Sequence, residues 1–149
     1  KIYISLQIYA NEHGDWFPQR TNAVTAEDVL DVLVPQYAAD PTVFICPGSK
    51  DSLLAPGTVL REARISYAYY MGRKPADGTL PLMSDLQIDT KPKVAHAQVF
   101  SDDGKKPANN HHKYGGVFLF CDGSTLQTPA DTPGALPLGN NVVLLNPKP

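Results

Sequence analysis

Four groups of residues carry side chains capable of chemistry. Cys46, His111, His112 and Asp122 contain the parts of a thiol nucleophile, a base and an orienting carboxylate. A working thiol must be accessible and activated, yet Cys46 ends the apolar run Val43-Phe44-Ile45-Cys46, just before Pro47. A packed or disulfide-bonded cysteine is the plainer reading, so no catalytic residue is assigned. Asp102, Asp103 and Asp122, with one of the two histidines, suggest a metal site. The stretch Ser101-Asp102-Asp103-Gly104 offers the oxygen donors that Ca²⁺ prefers. Adjacent histidines point to opposite faces of a strand, so at most one of His111 and His112 joins any one site. Asp and Asn cap loops equally well without an ion, and no metal site or cofactor is assigned. Tyr67 and Tyr69, with Tyr70 beside them, share one strand face and could form a platform for sugar or partner; packing accounts for strand tyrosines just as well. Arg73-Lys74, Lys105-Lys106 and Lys113 are separated basic groups that read as solvated turns.

The two cysteines, Cys46 and Cys121, stand 75 positions apart with no CxxC and no helically spaced His pair, which removes a zinc framework. One disulfide between them is conceivable and implies an oxidising compartment. The alternative is two buried free thiols.

These residues need elements to position them. Ile2 to Ala10 fits a helical stripe (Ile2, Leu6, Tyr9) and a strand alternation (Ile2, Ile4, Leu6, Ile8) equally well. Asn11 to Asp15 ends it, and Trp16-Phe17-Pro18 follows as an aromatic plug. Thr25-Ala26-Glu27-Asp28 looks like a helix start with acids in the first turn, and Val29, Leu30, Leu33 and Val34 share a face before Pro35. Strand-like runs come next: Val43 to Cys46, Ile65 to Met71, Val94 to Phe100, and Val117 to Cys121. The turn Asp122-Gly123 joins this last run to Ser124–Thr128 as a hairpin, and Asn141 to Leu145 adds a final candidate. Helices first and strands afterwards, without βαβ alternation, imply α+β with an antiparallel sheet.

Composition sets the outer bounds. The 149 residues suit a single domain spanning 1–149. Lys+Arg number 13 against 15 Asp+Glu, a net charge of -2 that lacks the basic field nucleic-acid binding draws on. No uninterrupted apolar run exceeds five residues, Val117 to Cys121 being one, whereas a span needs about 20. With 14 prolines and 11 glycines the chain is rich in loops.

The order of motifs resembles the type IV pilin-like family, which includes the pseudopilins of type II secretion. The residues that carry the resemblance are Tyr9, Gly14, Phe17-Pro18, Cys46-Pro47, His111 or His112, Gly115-Gly116, Phe120 and Asp122-Gly123, in that sequence. It extends from Lys1 to about Gln127. Cys121 stands where the family usually has a small residue, and Ser124 where His is frequent. The resemblance implies that residues 1–12 are the soluble end of a longer N-terminal helix packed on an antiparallel sheet. It also implies that the membrane-spanning half, with its prepilin-peptidase site, has been removed upstream of Lys1. Secretion pseudopilins are known for Ca²⁺ near their C-terminal loops, but their ligand pattern is not matched here residue by residue. The small-residue position of Cys121 tips the cysteines toward free thiols.

The expectation is therefore a non-catalytic structural subunit, a pseudopilin of a secretion or pilus-like machine. Its partners would be other pseudopilin subunits, and it would be anchored in the inner membrane with a periplasmic or extracellular domain. The rivals are a secreted or surface-anchored domain binding carbohydrate or peptide, and a small Cys/His hydrolase.

Overall fold

The computed structural model describes residues 2–88, 99–100, 116–128, 138–139 and 141–149. Helix α1 spans Ile2–Glu12, which resolves the ambiguous opening segment as helix. Its end is closed locally: the Asp15 and His13 N–H groups both bond the Ala10 carbonyl, at 2.8 and 3.1 Å. Helix α2 covers Ala26–Leu30 and tightens into a 3-10 turn at Asp31–Leu33, shorter than the helix expected up to Pro35. The Asp28 carboxylate accepts from Val24 N (2.9 Å) and Thr25 N (3.0 Å), so the acid expected in the first turn fastens the helix start.

Five strands follow: β1 (Tyr67–Met71), β2 (Pro81–Asp85), β3 (Gly116–Phe120), β4 (Thr125–Thr128) and β5 (Val143–Leu145). They form one sheet in the order β4-β3-β2-β1-β5, each neighbour antiparallel. The architecture is α+β, as expected.

Alternation along the strands gives the sheet two buried faces. On one face Tyr69, Leu82, Met83 and Leu145 meet Leu6 and Ala10 of α1 and Val29 and Leu30 of α2. On the other Ala68, Tyr70, Phe118, Phe120 and Leu144 pack with Val99 and Phe100. A bulge between Pro81 and Met83 turns both Leu82 and Met83 toward the helices.

Two expectations need correction. Val43 to Cys46 is no strand: Pro41–Phe44 forms a 3-10 turn. Pro41 opens it, and Asp40 Oδ1 accepts from Thr42 N at 3.0 Å and Thr42 Oγ1 at 2.6 Å, giving the backbone a local alternative to pairing. Conversely β2 was not expected. It opens on Pro81, which a strand tolerates as its first residue, and its bulge and burial throughout erase alternation. Residues 94–98 of a further expected strand lie outside the described residues; Val99 and Phe100 are buried but not in a strand.

The Asp122-Gly123 hairpin forms with a longer loop than a two-residue turn. Gly123 N bonds Phe120 O and Phe120 N bonds Ser124 O, both at 2.9 Å, so two residues oppose one in a glycine bulge. Gly123 has φ +89, and a Cβ there would sit 2.7 Å from the Tyr3 ring. That close approach locks the hairpin against α1, and Tyr3 Oη also donates to the Cys121 carbonyl at 3.0 Å.

Candidate functional site

The residues considered for chemistry do not converge. Cys46 and Cys121 are both buried and are not bridged, so the disulfide weighed from the sequence is not formed. Burial raises the Cys46 thiol pKa, and burial pushes that of Cys121 up to about 12. Both groups are held in the protonated, poorly nucleophilic form. Asp122 Oδ1 accepts from Ser124 N at 2.9 Å and Ser124 Oγ at 2.5 Å, bonds that lower its pKa and make it a turn cap. Among the described residues no three His, Cys, Asp or Glu side chains gather as a metal site. Asp102, Asp103, His111, His112 and Gly115 lie outside the described residues.

Of the three tyrosines only Tyr67 reaches the surface, so they form no shared platform. Tyr69 and Tyr70 are fully buried; Tyr69 Oη donates to Pro18 O at 2.6 Å, and Tyr70 Oη accepts from Gln87 Nε2 at 2.8 Å. Burial pushes the Tyr70 hydroxyl up to about 12 and raises that of Tyr69 well above its ordinary value. Arg73 is not a solvated turn residue either. It is buried, its Nε donates to Pro81 O at 3.1 Å, and its guanidinium lies 5.8 Å from the Tyr70 ring centre. Lys74 covers the Trp16 ring at 5.3 Å, while Lys105, Lys106 and Lys113 fall outside the described residues.

The remaining motif residues shape the fold. Gly14 lies in the turn that closes α1, Phe17 is fully buried, and Pro18 supplies the carbonyl bonded by Tyr69. Pro47 follows Cys46 on the surface of the groove described next. Gly116 leaves room for Phe100, whose ring would lie within 2.6 Å of an added Cβ.

What the structure does assemble is a groove of about 560 Å³ beside the β3–β4 hairpin. Ile2 and Tyr3 of α1, Val43 and Ile45 of the 3-10 turn region, Tyr67, and Thr125 of β4 contribute to its walls. Asp40 is the one charged residue among its described lining. A smaller apolar cavity of about 100 Å³ lies next to it, sharing Ile2, Tyr67 and Leu119. The sequence held only one hint of this groove, the Asp-Pro-Thr cap that turns Val43 and Ile45 out of a strand. The concave surface is a product of tertiary packing.

One further device was missed. Glu27 is fully buried, and its Oε1 accepts from Ile65 N at 2.9 Å and Lys148 N at 3.1 Å. The same C-terminal stretch is held by Ala26 N on Asn146 O (2.9 Å) and Arg64 Nε on Lys148 O (2.8 Å). Glu27 is thus an internal staple between α2, the approach to β1 and the chain's last residues.

Among the described residues no helix is long and apolar enough to cross a membrane. In comparisons with known proteins the chain matches no family model, no curated protein and no solved structure.

Proposed function

We propose that this domain is a non-catalytic structural subunit of a pilin-like assembly, of the type II secretion or type IV pilus kind. The observation that carries the proposal is the double-sided character of α1. Leu6 and Ala10 are wholly buried against the sheet, yet Ile4 and Ile8 are 63% and 46% exposed, one helical turn apart. A helix that merely closes a domain needs one apolar stripe. A second stripe suits helix packing between subunits, continuous with an apolar stretch on the N-terminal side of Ile2 that anchors the protein in the inner membrane. The domain then stands on the periplasmic or extracellular side, and its partners are other subunits of the same kind.

The buried environment favours this over the rivals. Tyr69 and Tyr70 offer no ring face to a carbohydrate, and Cys46 lacks the accessible thiolate a hydrolase needs.

The test is to express the native gene with its own upstream residues and fractionate the cells. Recovery in the membrane fraction, lost on trimming the upstream apolar helix, is expected. A full-length protein soluble in the cytoplasm with its N-terminus intact overturns the proposal.

A further inference from the structure

Gln87 is a junction inside the fold. Its main chain is clasped by Asn146, just beyond β5: Gln87 N donates to Asn146 Oδ1 at 3.1 Å, and Asn146 Nδ2 donates to Gln87 O at 2.8 Å. Its side-chain amide donates to Tyr70 Oη of β1 at 2.8 Å and to Ser84 Oγ of β2 at 2.7 Å. Ser84 Oγ in turn donates to the Asp85 carbonyl at 2.8 Å. Gln87, Tyr70 and Ser84 are all buried, the first two to 1% exposure.

The network is one link short. Gln87 Oε1 is sealed from solvent, and no described residue donates to it. The Tyr70 hydroxyl accepts from Gln87, and no described residue takes the proton it carries. Exchanging the oxygen and nitrogen of the amide does not mend this. The oxygen would then accept from Tyr70 and from Ser84, the Asp85 carbonyl would lose the Ser84 bond, and both N–H groups would be stranded where Oε1 now lies. Buried polar groups are nearly always bonded, to protein or to ordered water.

The two unbonded groups lie within reach of one small molecule. The oxygen and nitrogen of a side-chain amide stand roughly 2.2 Å apart by covalent geometry, which puts Oε1 within about 5 Å of Tyr70 Oη. A water that accepts from one group and donates to the other spans about 4–5.5 Å. The strand residues beside the amide are small: Ala68 and Ser84 stand opposite each other in β1 and β2, among the bulky Tyr70, Phe100 and Phe118.

We propose that Gln87 and Tyr70 hold a single buried water, which donates to Gln87 Oε1 and accepts from the Tyr70 hydroxyl. Chemistry selects this ligand. It must donate to one group and accept from the other, which water does and a simple anion or cation does not. Immobilising one water costs less than leaving both groups unpaired. Bound there, the water completes a junction between β1, β2 and the segment after β5. This goes beyond the structural-subunit proposal and holds whether or not that proposal does.

The test counts long-lived internal waters by water-oxygen relaxation dispersion, which reads the water itself and not a relayed hydroxyl proton. Gln87→Met keeps the length of the side chain and removes its amide. It is expected to lose one long-lived water relative to the unaltered chain; an unchanged count overturns the inference. Where Gln87→Met does not fold, a crystal structure of the unaltered chain decides. Density for a water within hydrogen-bond distance of both Gln87 Oε1 and Tyr70 Oη bears the inference out. A protein group bonded to Oε1, or an Oε1 with no neighbour at that distance, overturns it.

Discussion

The Glu27 staple allows a loss of stability to be worked out from geometry. Its carboxylate is sealed from water and serves two backbone donors from distant parts of the chain, Ile65 N and Lys148 N. Glu27→Ala leaves both N–H groups buried without an acceptor, each costing about 1–3 kcal/mol. The sum is about 2–6 kcal/mol, a large part of the roughly 5–15 kcal/mol that holds a typical domain folded. Glu27→Gln should behave differently. Ile65 N and Lys148 N both reach Oε1, at 2.9 and 3.1 Å, and Lys148 N is shared with Oε2 at 3.1 Å. An amide carbonyl in the place of Oε1 still serves both donors, while the shared branch to Oε2 is lost. The extra strength of bonds to a carboxylate and the shared branch from Lys148 N are lost, about 1–2 kcal/mol.

Urea unfolding of the three proteins reads these losses as shifts in midpoint at constant slope. Amide hydrogen exchange at Ile65 and Lys148 reports whether the loss is local to the staple. If alanine costs under about 1 kcal/mol, or glutamine costs as much as alanine, the satisfied-donor account of this residue is refuted.

Two further outcomes follow from the same structure. Gly123→Ala forces a side chain into φ +89 and a Cβ to 2.7 Å from the Tyr3 ring, so it should destabilise by about 2–4 kcal/mol in urea unfolding; a loss under about 0.5 kcal/mol would show that α1 and the hairpin are not locked there. Asp28 has its pKa lowered below 3.8, chiefly by the Val24 N–H bond, so its contribution is present above the unfolded value and is lost as pH falls through the lower folded one; Asp28→Asn should flatten the fall in urea midpoint as pH drops below 3.8, and an unchanged acid profile would remove this group from the account.

The sequence was most legible where local chemistry and tertiary packing agree. Asp122-Gly123 marked a hairpin because Gly at positive φ and an Asp able to cap Ser124 are what that turn demands. Thr25 to Asp28 marked a helix start for the same reason. Reading failed where one residue served two rules. Val43 to Cys46 has strand composition, but Asp40 and Pro41 fold its first half into a 3-10 turn. Pro81–Asp85 has no alternation because a bulge turns the neighbours Leu82 and Met83 to one face, and Glu27 looked like a dipole-facing surface acid until tertiary structure buried it.

The candidate site was less legible still, because it is a concave surface made by tertiary packing, which has no residue signature. Reactive side chains attract attention in a sequence, yet here burial raises the pKa values of Cys46, Cys121, Tyr69 and Tyr70 and enlists them as packing groups. What the described surface offers is different in kind: Ile4 and Ile8 on the outer face of α1, and the groove beside the β3–β4 hairpin. The two regions meet at the N-terminal turn of α1, where Tyr3 bonds the hairpin through the Cys121 carbonyl. Tyr3 and Gly123 are thus the joint that keeps α1 and the hairpin in register, so a change at either should be felt in the groove and in the outer stripe of the helix alike.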